Sequence, residues 1–352
     1  MQRLDLILIG YGNVAQRFVS LVREQQAALR HDHHLAVRVI ATATRRHGYV
    51  YAGRPVKAAS THAFLRDALA KSAAAARDGR LVVVETTTLD IVRGEPATRH
   101  IRTALAGGAH VVTANKGPVA FAYRALARAA ARAGRRFLFE GAVMDGVPVF
   151  NLVRETLPSV RVKAFRGVVN STTNFILTAM EQGRPFDAAL KEMQARGIAE
   201  ADASLDVDGW DAAAKTAALA NVWLGADITP HDVDRRGITT ADGPAAAAAM
   251  AAGRRLKLVA RARREGRRIV ARVAPEELPG DDPLARIEGQ QNAIILETDL
   301  LDEIAVVQRG GNLTHTAYAL LSDLVTIARA TPQSRTSARR RRSPSRPVRR
   351  KK

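Results

Sequence analysis

A glycine-containing segment near the start of the chain has the spacing of a dinucleotide-binding turn. The segment reads Ile9-Gly10-Tyr11-Gly12-Asn13-Val14-Ala15, which fits the pattern G-x-G-x-x-G/A. Gly10 permits a tight turn and Gly12 lets the backbone approach a pyrophosphate, while Asn13 and Val14 begin a helix whose free N–H groups face the anion. The sequence therefore predicts that Gly10, Gly12, Asn13 and Val14 bind a dinucleotide. A plain strand-to-helix turn with two glycines is the alternative.

The residues at the end of the second predicted strand indicate whether NAD or NADP is bound. NAD enzymes usually place an acid there, on the ribose 2′-hydroxyl, but this segment carries Arg45 and Arg46 instead. Two guanidinium groups suit the 2′-phosphate of NADP because they form charge-assisted, bidentate hydrogen bonds with it. We expect NADP to be preferred over NAD. A solvated loop in an arginine-rich chain is the alternative.

Five acids precede a single lysine between residues 197 and 215. If a helix begins near Asp208, then Asp211 and Lys215 lie four residues apart on one face, and the carboxylate can position the ammonium group for acid/base chemistry. The alternative is a capped surface helix in which Asp211 and Lys215 form a solvent-exposed ion pair.

Two further segments place polar groups where predicted strands end. Thr113 and Lys116 lie in TANKGP, at the carboxyl edge of the first sheet, where open α/β sheets bind ligands, and we expect both to bind the cofactor. Thr172 lies in VVNSTTN, where hydroxyl and amide groups precede an apolar helix. An ordinary cationic loop and simple helix capping by Thr172 or Thr173 are the respective alternatives.

The elements that must position these groups alternate between strands and helices in the first half of the chain. Short β-rich runs occur at 4–9, 35–42, 81–84, 110–113 and 136–139, with helical patterns at 14–29, 98–106 and 119–133 between them. This rhythm predicts an α/β fold with a parallel, Rossmann-type nucleotide-binding sheet. After about residue 150 a strand pattern at 160–169 and helical patterns at 173–181, 186–195 and 210–224 predict a second, α+β substrate-binding and dimerisation domain. We expect boundaries at 1–125, completed by about 300–330, and at 126–299.

Composition places the chain among globular proteins. It has 352 residues, 47% hydrophobic and 25% charged, and no cysteine, which excludes a disulfide framework or a thiol nucleophile. No apolar run approaches the roughly 20 residues that cross a bilayer, so we expect a soluble, cytoplasmic protein.

Half of the formal net charge of +20 lies in residues 331–352, which hold ten Lys and Arg residues and no acid. With Pro and Ser between its arginines, this basic tail is predicted to be disordered. It can bind nucleic acid weakly through phosphate contacts, although a solvated extension is favoured.

Taken together, GYGNVA, TANKGP, GVVNSTTNFIL and GIAEADASLDVDGWDAAAK resemble the homoserine dehydrogenase family over residues 4–329. The resemblance implies NADP- or NAD-linked interconversion of L-homoserine and L-aspartate 4-semialdehyde by a homodimer or homotetramer. It assigns acid/base catalysis to Lys215, its orientation to Asp211, and a place near the reacting oxygen to Lys116. Glu200 would bind the substrate ammonium, with Thr172 and Asp206 completing the pocket. We expect desolvation and a second cation to lower the pKa of Lys215.

The resemblance also implies a monovalent cation, Na⁺ or K⁺. The segment Glu140-Gly141-Ala142-Val143-Met144-Asp145-Gly146-Val147-Pro148 resembles the loop whose backbone carbonyls hold this ion in the family. The corresponding residues here are Glu140, Val143, Asp145 and Val147. Nothing else in the sequence indicates an ion, and a plain glycine-containing turn is the alternative.

Three positions depart from the family pattern. Ser171 replaces a glycine, Ile198 replaces an aromatic residue, and Gln308–Asn312 retains only part of a glycine-rich loop. No regulatory ACT domain follows, so we expect no amino-acid feedback through one. Ser171 and Ile198 leave open a related NAD(P) dehydrogenase for another small amino-acid alcohol or aldehyde. The basic tail leaves open a degenerate dehydrogenase that binds nucleic acid.

Overall fold

Residues 1–44, 48–196 and 202–330 are described by a computed structural model. The predictions for Arg45, Arg46, Ile198, Glu200 and the basic tail concern positions outside these described residues.

The first half of the chain builds a seven-stranded sheet, in the order β4-β3-β2-β1-β5-β6-β7. Its strands are β1 (Gln2–Ile9), β2 (Leu35–Thr44), β3 (Gly48–Tyr51), β4 (Arg54–Val56), β5 (Leu81–Glu85), β6 (His110–Thr113) and β7 (Phe137–Leu138). Strands β2, β1, β5, β6 and β7 run parallel, and the chain order reverses between β1 and β5. The carboxyl ends of β1 and β5 therefore flank the crevice in which such sheets bind ligands.

The five predicted strands run parallel, and two further strands extend one edge of the sheet. Strand β3 pairs antiparallel with β2, and β4 pairs antiparallel with β3. Neither strand was predicted, and both run antiparallel because only three residues join β2 to β3, whereas a parallel crossover needs a dozen or more.

Helices cover both faces of the first sheet. They are α1 (Asn13–Glu24), α2 (Gln26–His33), α3 (Thr61–Lys71), α4 (Ala73–Arg77), α5 (Ala97–Ala106) and α6 (Lys116–Ala133). The predicted helical patterns are confirmed, with one long pattern divided between α1 and α2, whereas α3 and α4 were not predicted. The α/β fold class is likewise confirmed.

The second half of the chain forms a six-stranded, mostly antiparallel sheet in the order β13-β12-β8-β10-β11-β9. Its strands are β8 (Val162–Val168), β9 (Asp234–Arg235), β10 (Arg254–Glu265), β11 (Arg268–Pro279), β12 (Asn292–Thr298) and β13 (Glu303–Gln308). Its helices are α7 (Ser171–Glu181), α8 (Phe186–Ala195), α9 (Ser204–Val207), α10 (Trp210–Trp223) and α11 (Asp242–Ala251). The predicted domain boundaries stay predictions. Strand β13 belongs to the second sheet and ends at Gln308, and the chain returns to the first sheet after it.

The last described helix, α12 (Leu313–Ala330), returns to the nucleotide-binding sheet. Its apolar face, including Leu320, Leu324 and Ile327, packs against Leu6 of β1 and Phe18 of α1 in one buried cluster. Burial of such side chains stabilises the fold by roughly 1.5–3 kcal/mol each. The chain therefore crosses from the second sheet to the first through residues 309–312.

Alanine determines how closely α10 packs against its neighbours. This helix contacts α6 and the strands β10 and β11. Six of its buried side chains are alanines: Ala212, Ala213, Ala214, Ala217, Ala218 and Ala220. Because short side chains allow a close approach of two helices, the first turns of α6 and α10 come together.

A buried ionic cluster lies beneath α7. The Lys257 ammonium is fully buried, 3.8 Å from a Glu181 oxygen and 3.4 Å from the Asn174 side-chain oxygen. Arg255 also pairs with Glu181, at 2.6 Å. Burial lowers the pKa of Lys257 to about 8, so this cluster holds α7 on β10 with a cation that is costly to bury.

Across the described ranges 1–44, 48–196 and 202–330, no helix is long and apolar enough to cross a membrane.

Candidate active site

The glycine turn has the shape that a pyrophosphate requires. Gly10 has a φ of +89°, and a Cβ there would lie 2.8 Å from the Thr86 carbonyl oxygen. A Cβ on Gly12 would meet nothing within 4 Å, so this backbone is open to a ligand. Helix α1 begins at Asn13, followed by Val14, and Gly12 supplies no side-chain cap to its first N–H groups. These donors are available to an anion.

The predicted cofactor residue Thr113 lies deeper, at the end of β6. Its side chain is fully buried, with its hydroxyl 2.8 Å from the Glu85 carbonyl oxygen and 3.1 Å from a Glu85 carboxylate oxygen. Asn115 follows and caps α6, because its side-chain oxygen accepts a hydrogen bond of 2.9 Å from the Gly117 N–H. These bonds fix the direction in which α6 leaves the sheet.

Three predicted catalytic side chains meet where α6 and α10 begin. Asp211 and Lys215 lie one helical turn apart on α10, with the Lys215 Nζ 2.9 Å from Asp211 Oδ2. Lys116, the first residue of α6, places its Nζ 3.2 Å from Asp211 Oδ1. The side chains of Asp211 and Lys215 are each only 14% exposed, which excludes the alternative of a surface ion pair. One buried carboxylate thus lies between two ammonium groups.

Asn170 joins this cluster to a second carboxylate. Its amide nitrogen lies 2.7 Å from Asp206 Oδ1 and 2.9 Å from Asp211 Oδ2, while its side-chain oxygen accepts from the Thr173 N–H and caps α7. The preceding carbonyl, that of Val169, accepts a 2.7 Å hydrogen bond from Lys215. Helix α7 is therefore capped by Asn170, and not by Thr172 or Thr173.

Burial and charge act in opposite directions on the pKa values of this cluster. Burial alone would raise the pKa of Asp211, but the charges of Lys215 and Lys116 outweigh burial and hold the pKa below its ordinary value. Burial raises the pKa of Asp206, and the Asp211 charge raises it further. Thr172, itself buried, opposes this shift by a side-chain hydrogen bond to Asp206.

The expectation of a lowered Lys215 pKa was wrong. Burial does lower it, but the charge and hydrogen bond of Asp211, with the more distant charges of Asp145 and Asp206, outweigh burial and raise the pKa above its ordinary value. Lys215 is therefore an ammonium group at neutral pH.

The segment predicted to hold a cation is buried and irregular. Glu140 is 1% exposed, and its carboxylate accepts hydrogen bonds from the N–H groups of Val149, Phe150 and Asn151 at 2.6–2.9 Å. The fully buried carboxylate of Asp323 accepts from the Glu140 N–H at 2.9 Å. Burial, and then the Glu140 charge, raise the pKa of Asp323 to about 7.

The other predicted ion ligands lie in the same turn. Val143 is buried, and the Val147 N–H donates to the Met144 carbonyl at 2.9 Å. Asp145 has a φ of +47° and accepts a 3.0 Å hydrogen bond from the Thr316 hydroxyl. Among the described residues, no group of three or more His, Cys, Asp or Glu side chains is placed to hold a metal. Any ion here would therefore depend on backbone oxygens.

Asn170 and Asp323 were not predicted as site residues, although Asn170 lies within the quoted motif GVVNSTTNFIL. The position of Asn170 immediately before a helical pattern was a capping signal. Nothing local indicated that its amide would reach Asp206 and Asp211, 36 and 41 residues away.

A glycine turn for a pyrophosphate, beside a buried lysine–aspartate pair at the same crevice, defines a dinucleotide-linked oxidoreductase. Residues 148–325 match the sequence model of the family described as "Homoserine dehydrogenase", and residues 10–140 match the one described as "Homoserine dehydrogenase, NAD binding domain". The chain belongs to the homoserine dehydrogenase family, which confirms the resemblance found in the sequence.

Individual relatives agree over most of the chain. The chain is 36% identical over 343 residues to the NAD(+)-dependent homoserine dehydrogenase of Pseudomonas canavaninivorans, covering 93% of this chain and 97% of the relative. It is 41% identical over 251 residues to the homoserine dehydrogenase of Methanocaldococcus jannaschii, covering 71% and 73%. The crystal structure of a homoserine dehydrogenase from Thiobacillus denitrificans is similar with a TM-score of 0.78 at 29% identity, covering 94% of this chain and 74% of the other.

The two hydrogen-bonding roles of Asn170 can be separated by substitution. Asn170→Ser keeps a capping oxygen but removes the amide shared by Asp206 and Asp211. We expect kcat/KM for homoserine to fall about 10-fold or more, and the free energy of unfolding to fall by about 1–3 kcal/mol because both carboxylates lose a donor. Asn170→Ala also removes the cap, which we expect to lower the free energy of unfolding by a further ~1 kcal/mol. Steady-state kinetics and urea unfolding measure these effects. Wild-type kcat/KM in Asn170→Ser would contradict the bridging role.

Proposed function

We propose that the chain interconverts L-homoserine and L-aspartate 4-semialdehyde with NADP or NAD, and that Lys215 is its acid/base group. The observation that carries this proposal is the buried Lys215 ammonium, held by Asp211 at 2.9 Å and by the Val169 carbonyl at 2.7 Å. An ammonium group has three hydrogens. Two are directed to these acceptors, and we assign the third to the substrate oxygen.

In the reductive direction, the protonated Lys215 donates this hydrogen to the aldehyde oxygen as that oxygen gains charge. In the oxidative direction, Lys215 accepts the hydroxyl proton, which requires its neutral form. The bound dinucleotide supplies or accepts the hydride. Asp211 keeps the Lys215 side chain in one orientation, and Lys116 places a second positive charge near the reacting oxygen.

The substrate ammonium is assigned to the acidic side of the site. We propose that Asp206, together with Glu200 and the hydroxyl of Thr172, binds this group. The Asp206 carboxyl is buried beside Asp211, which disfavours its charge. A substrate cation placed there would restore the favoured ionised form, because an opposite charge stabilises a carboxylate.

The acid/base role predicts that Lys215→Met abolishes most turnover. Because general acid–base catalysis contributes about 10²- to 10⁴-fold, we expect kcat to fall by that factor while NADPH binding, measured by fluorescence titration, persists. A matched control is Lys71→Met, which removes a lysine paired with Asp67 at the same i,i+4 spacing but 48% exposed. We expect the control to keep wild-type kcat.

The dependence of kcat/KM on pH is a second test of the acid/base role of Lys215. Since the pKa of Lys215 is raised, its neutral form is scarce at pH 7 and increases with pH. Wild-type kcat/KM for homoserine oxidation should therefore rise steadily from neutral to alkaline pH, whereas that for semialdehyde reduction should not. A pH-independent oxidation, or a Lys215→Met enzyme with wild-type turnover, would remove Lys215 from this role.

For the cofactor, we propose a preference for NADP, supported by Arg45 and Arg46 and by the absence of an acid in Ala41–Thr44 at the end of β2. The relative from Pseudomonas canavaninivorans is named NAD(+)-dependent, so the preference needs a direct measurement.

Replacing both Arg45 and Arg46 by alanine should separate the two dinucleotides. Charge-assisted hydrogen bonds to a phosphate contribute about 1.5–3 kcal/mol each, so we expect kcat/KM for NADP to fall at least about 10-fold and that for NAD to stay within about 3-fold. Arg263→Ala, which removes an exposed arginine paired with Glu265, is the control. Equal losses with both dinucleotides would refute the preference.

We also propose a monovalent cation, held by the backbone carbonyls of Glu140, Val143, Asp145 and Val147. Support comes from two buried carboxyl groups at this segment, those of Glu140 and Asp323. The Glu140 charge raises the pKa of Asp323, and a nearby cation would stabilise both carboxylates. Replacing Na⁺ and K⁺ by tetramethylammonium, which is too large for such a turn, should lower the thermal midpoint by a few degrees. An unchanged midpoint at equal ionic strength would contradict the ion.

Finally, we propose a cytoplasmic homodimer or homotetramer. The cysteine-free composition supports the compartment, and the family resemblance supports the assembly. Light scattering of the purified chain measures the oligomer, and cell fractionation locates it.

A further inference from the structure

A line of polar side chains links the start of α7 to the start of α12. Asn292 Nδ2 lies 2.9 Å from Ser171 Oγ and 3.2 Å from Gln308 Oε1. Gln308 Nε2 donates to Asp145 Oδ2 at 2.8 Å, and the Thr316 hydroxyl donates to Asp145 Oδ1 at 3.0 Å. We name these five residues, Ser171, Asn292, Gln308, Asp145 and Thr316, the polar bridge.

The chemistry of the side chains determines which group donates and which accepts in each hydrogen bond of the polar bridge. A carboxylate only accepts hydrogen bonds, so Gln308 must present its NH₂ group to Asp145. Its oxygen therefore faces Asn292, which must donate in turn, and Ser171 accepts. Replacing Gln308 by a residue without an amide therefore removes two hydrogen bonds, the one from Asn292 and the one to Asp145.

The two central residues of the polar bridge are buried. Gln308 is 2% exposed and Asn292 is 5% exposed. A Cβ on Gly311 would collide with the Asp145 carboxylate, so the backbone at Gly311 lies in close contact with this carboxylate. Because a buried polar group without a partner is unfavourable, we expect the loss of one member to make its neighbours move toward other partners.

The polar bridge connects the start of α7 with the segment that returns to the first sheet. Ser171 is the first residue of α7, next to Thr172 and to Asn170, which contacts Asp206 and Asp211. Gln308 is the last residue of β13, and only residues 309–312 separate it from α12. Helix α12 packs on α1, and the Arg17 Nε of α1 donates to the Thr314 hydroxyl at 2.9 Å. Helix α1 in turn begins at the glycine turn.

We propose that Gln308 is a positioning residue for hydride transfer, because through the polar bridge it fixes the separation between α7 and the segment that leads to α12 and α1. This inference rests on the proposed placement of homoserine beside Thr172 and of the dinucleotide at the glycine turn. Gln308 contacts neither reactant. It acts by holding the two elements that present them.

The test is Gln308→Met, which keeps the length and volume of the side chain but cannot form either hydrogen bond. A misplacement of about 1 Å can slow a reaction by about 100-fold, so we expect kcat to fall about 10- to 100-fold with both KM values within about 3-fold. Homoserine deuterated at the reacting carbon should show a larger isotope effect on kcat than in the wild type, because hydride transfer limits turnover. A merely structural role would lower the thermal midpoint without this increase.

The matched control is Thr298→Val on the same pair of strands. Thr298 is 3% exposed, and its hydroxyl bonds only within the turn between β12 and β13, to the Asp302 carbonyl and from the Leu301 N–H. We expect its kcat and isotope effect to match the wild type. Wild-type kcat and isotope effect in Gln308→Met, or equal losses in Thr298→Val, would overturn the proposal.

A double-mutant cycle with Asn292→Leu tests the connection itself. If Gln308 acts through Asn292, the double variant should lose no more kcat than the more impaired single variant. Multiplied losses would mean that the two residues act independently, which would overturn the polar bridge. Should Gln308→Met fail to fold, Ser171→Ala at the half-exposed end of the bridge provides a variant whose kcat and isotope effect are read in the same way. Failure of the wild type to oxidise homoserine would instead refute the proposed function.

Discussion

The Asp211 carboxylate, buried between the ammonium groups of Lys215 and Lys116, is the interaction on which the rest of the site depends. Burying a lone carboxylate is strongly unfavourable, and here two cations at 2.9 and 3.2 Å and the Asn170 amide at 2.9 Å offset that cost. The partners come from α10, from α6 and from the residue before α7. The same charge therefore holds three elements together and keeps Lys215 protonated.

Small residues make this arrangement sterically possible. The alanine face of α10 lets the helix approach α6 closely enough for their first turns to share one carboxylate. Gly209, with a φ of +80°, ends the preceding turn in a conformation that side chains disfavour, and α10 begins at the next residue. A bulkier face on α10 would separate Lys116 from Asp211, and the carboxylate would then be buried with one cation fewer.

The two sheets carry different parts of the chemistry, so their relative position matters as much as either site. The first sheet presents the glycine turn and Lys116, whereas the second half of the chain presents Asp206, Asp211 and Lys215. Contacts between the halves include the packing of α10 on α6, the shared Asp211 carboxylate, and the hydrogen bond from Gln308 to Asp145. Hydride transfer is sensitive to small displacements of the reacting groups. These contacts therefore affect the reaction rate as well as the stability of the fold.

The sequence alone determined the features that depend on neighbouring residues. The glycine turn, the β1–α1 unit and the one-turn spacing of Asp211 and Lys215 follow from backbone freedom and from the periodicity of a helix, which act over a few residues. The family, and with it the reaction class, could also be identified, because four motifs occur in order. Tertiary structure decided the antiparallel edge of β3 and β4, the contact of Lys116 with Asp211 across 95 positions, the bridging role of Asn170 and the raised pKa of Lys215. These depend on which distant charges share a buried volume, and that is set by packing between elements rather than by spacing along the chain.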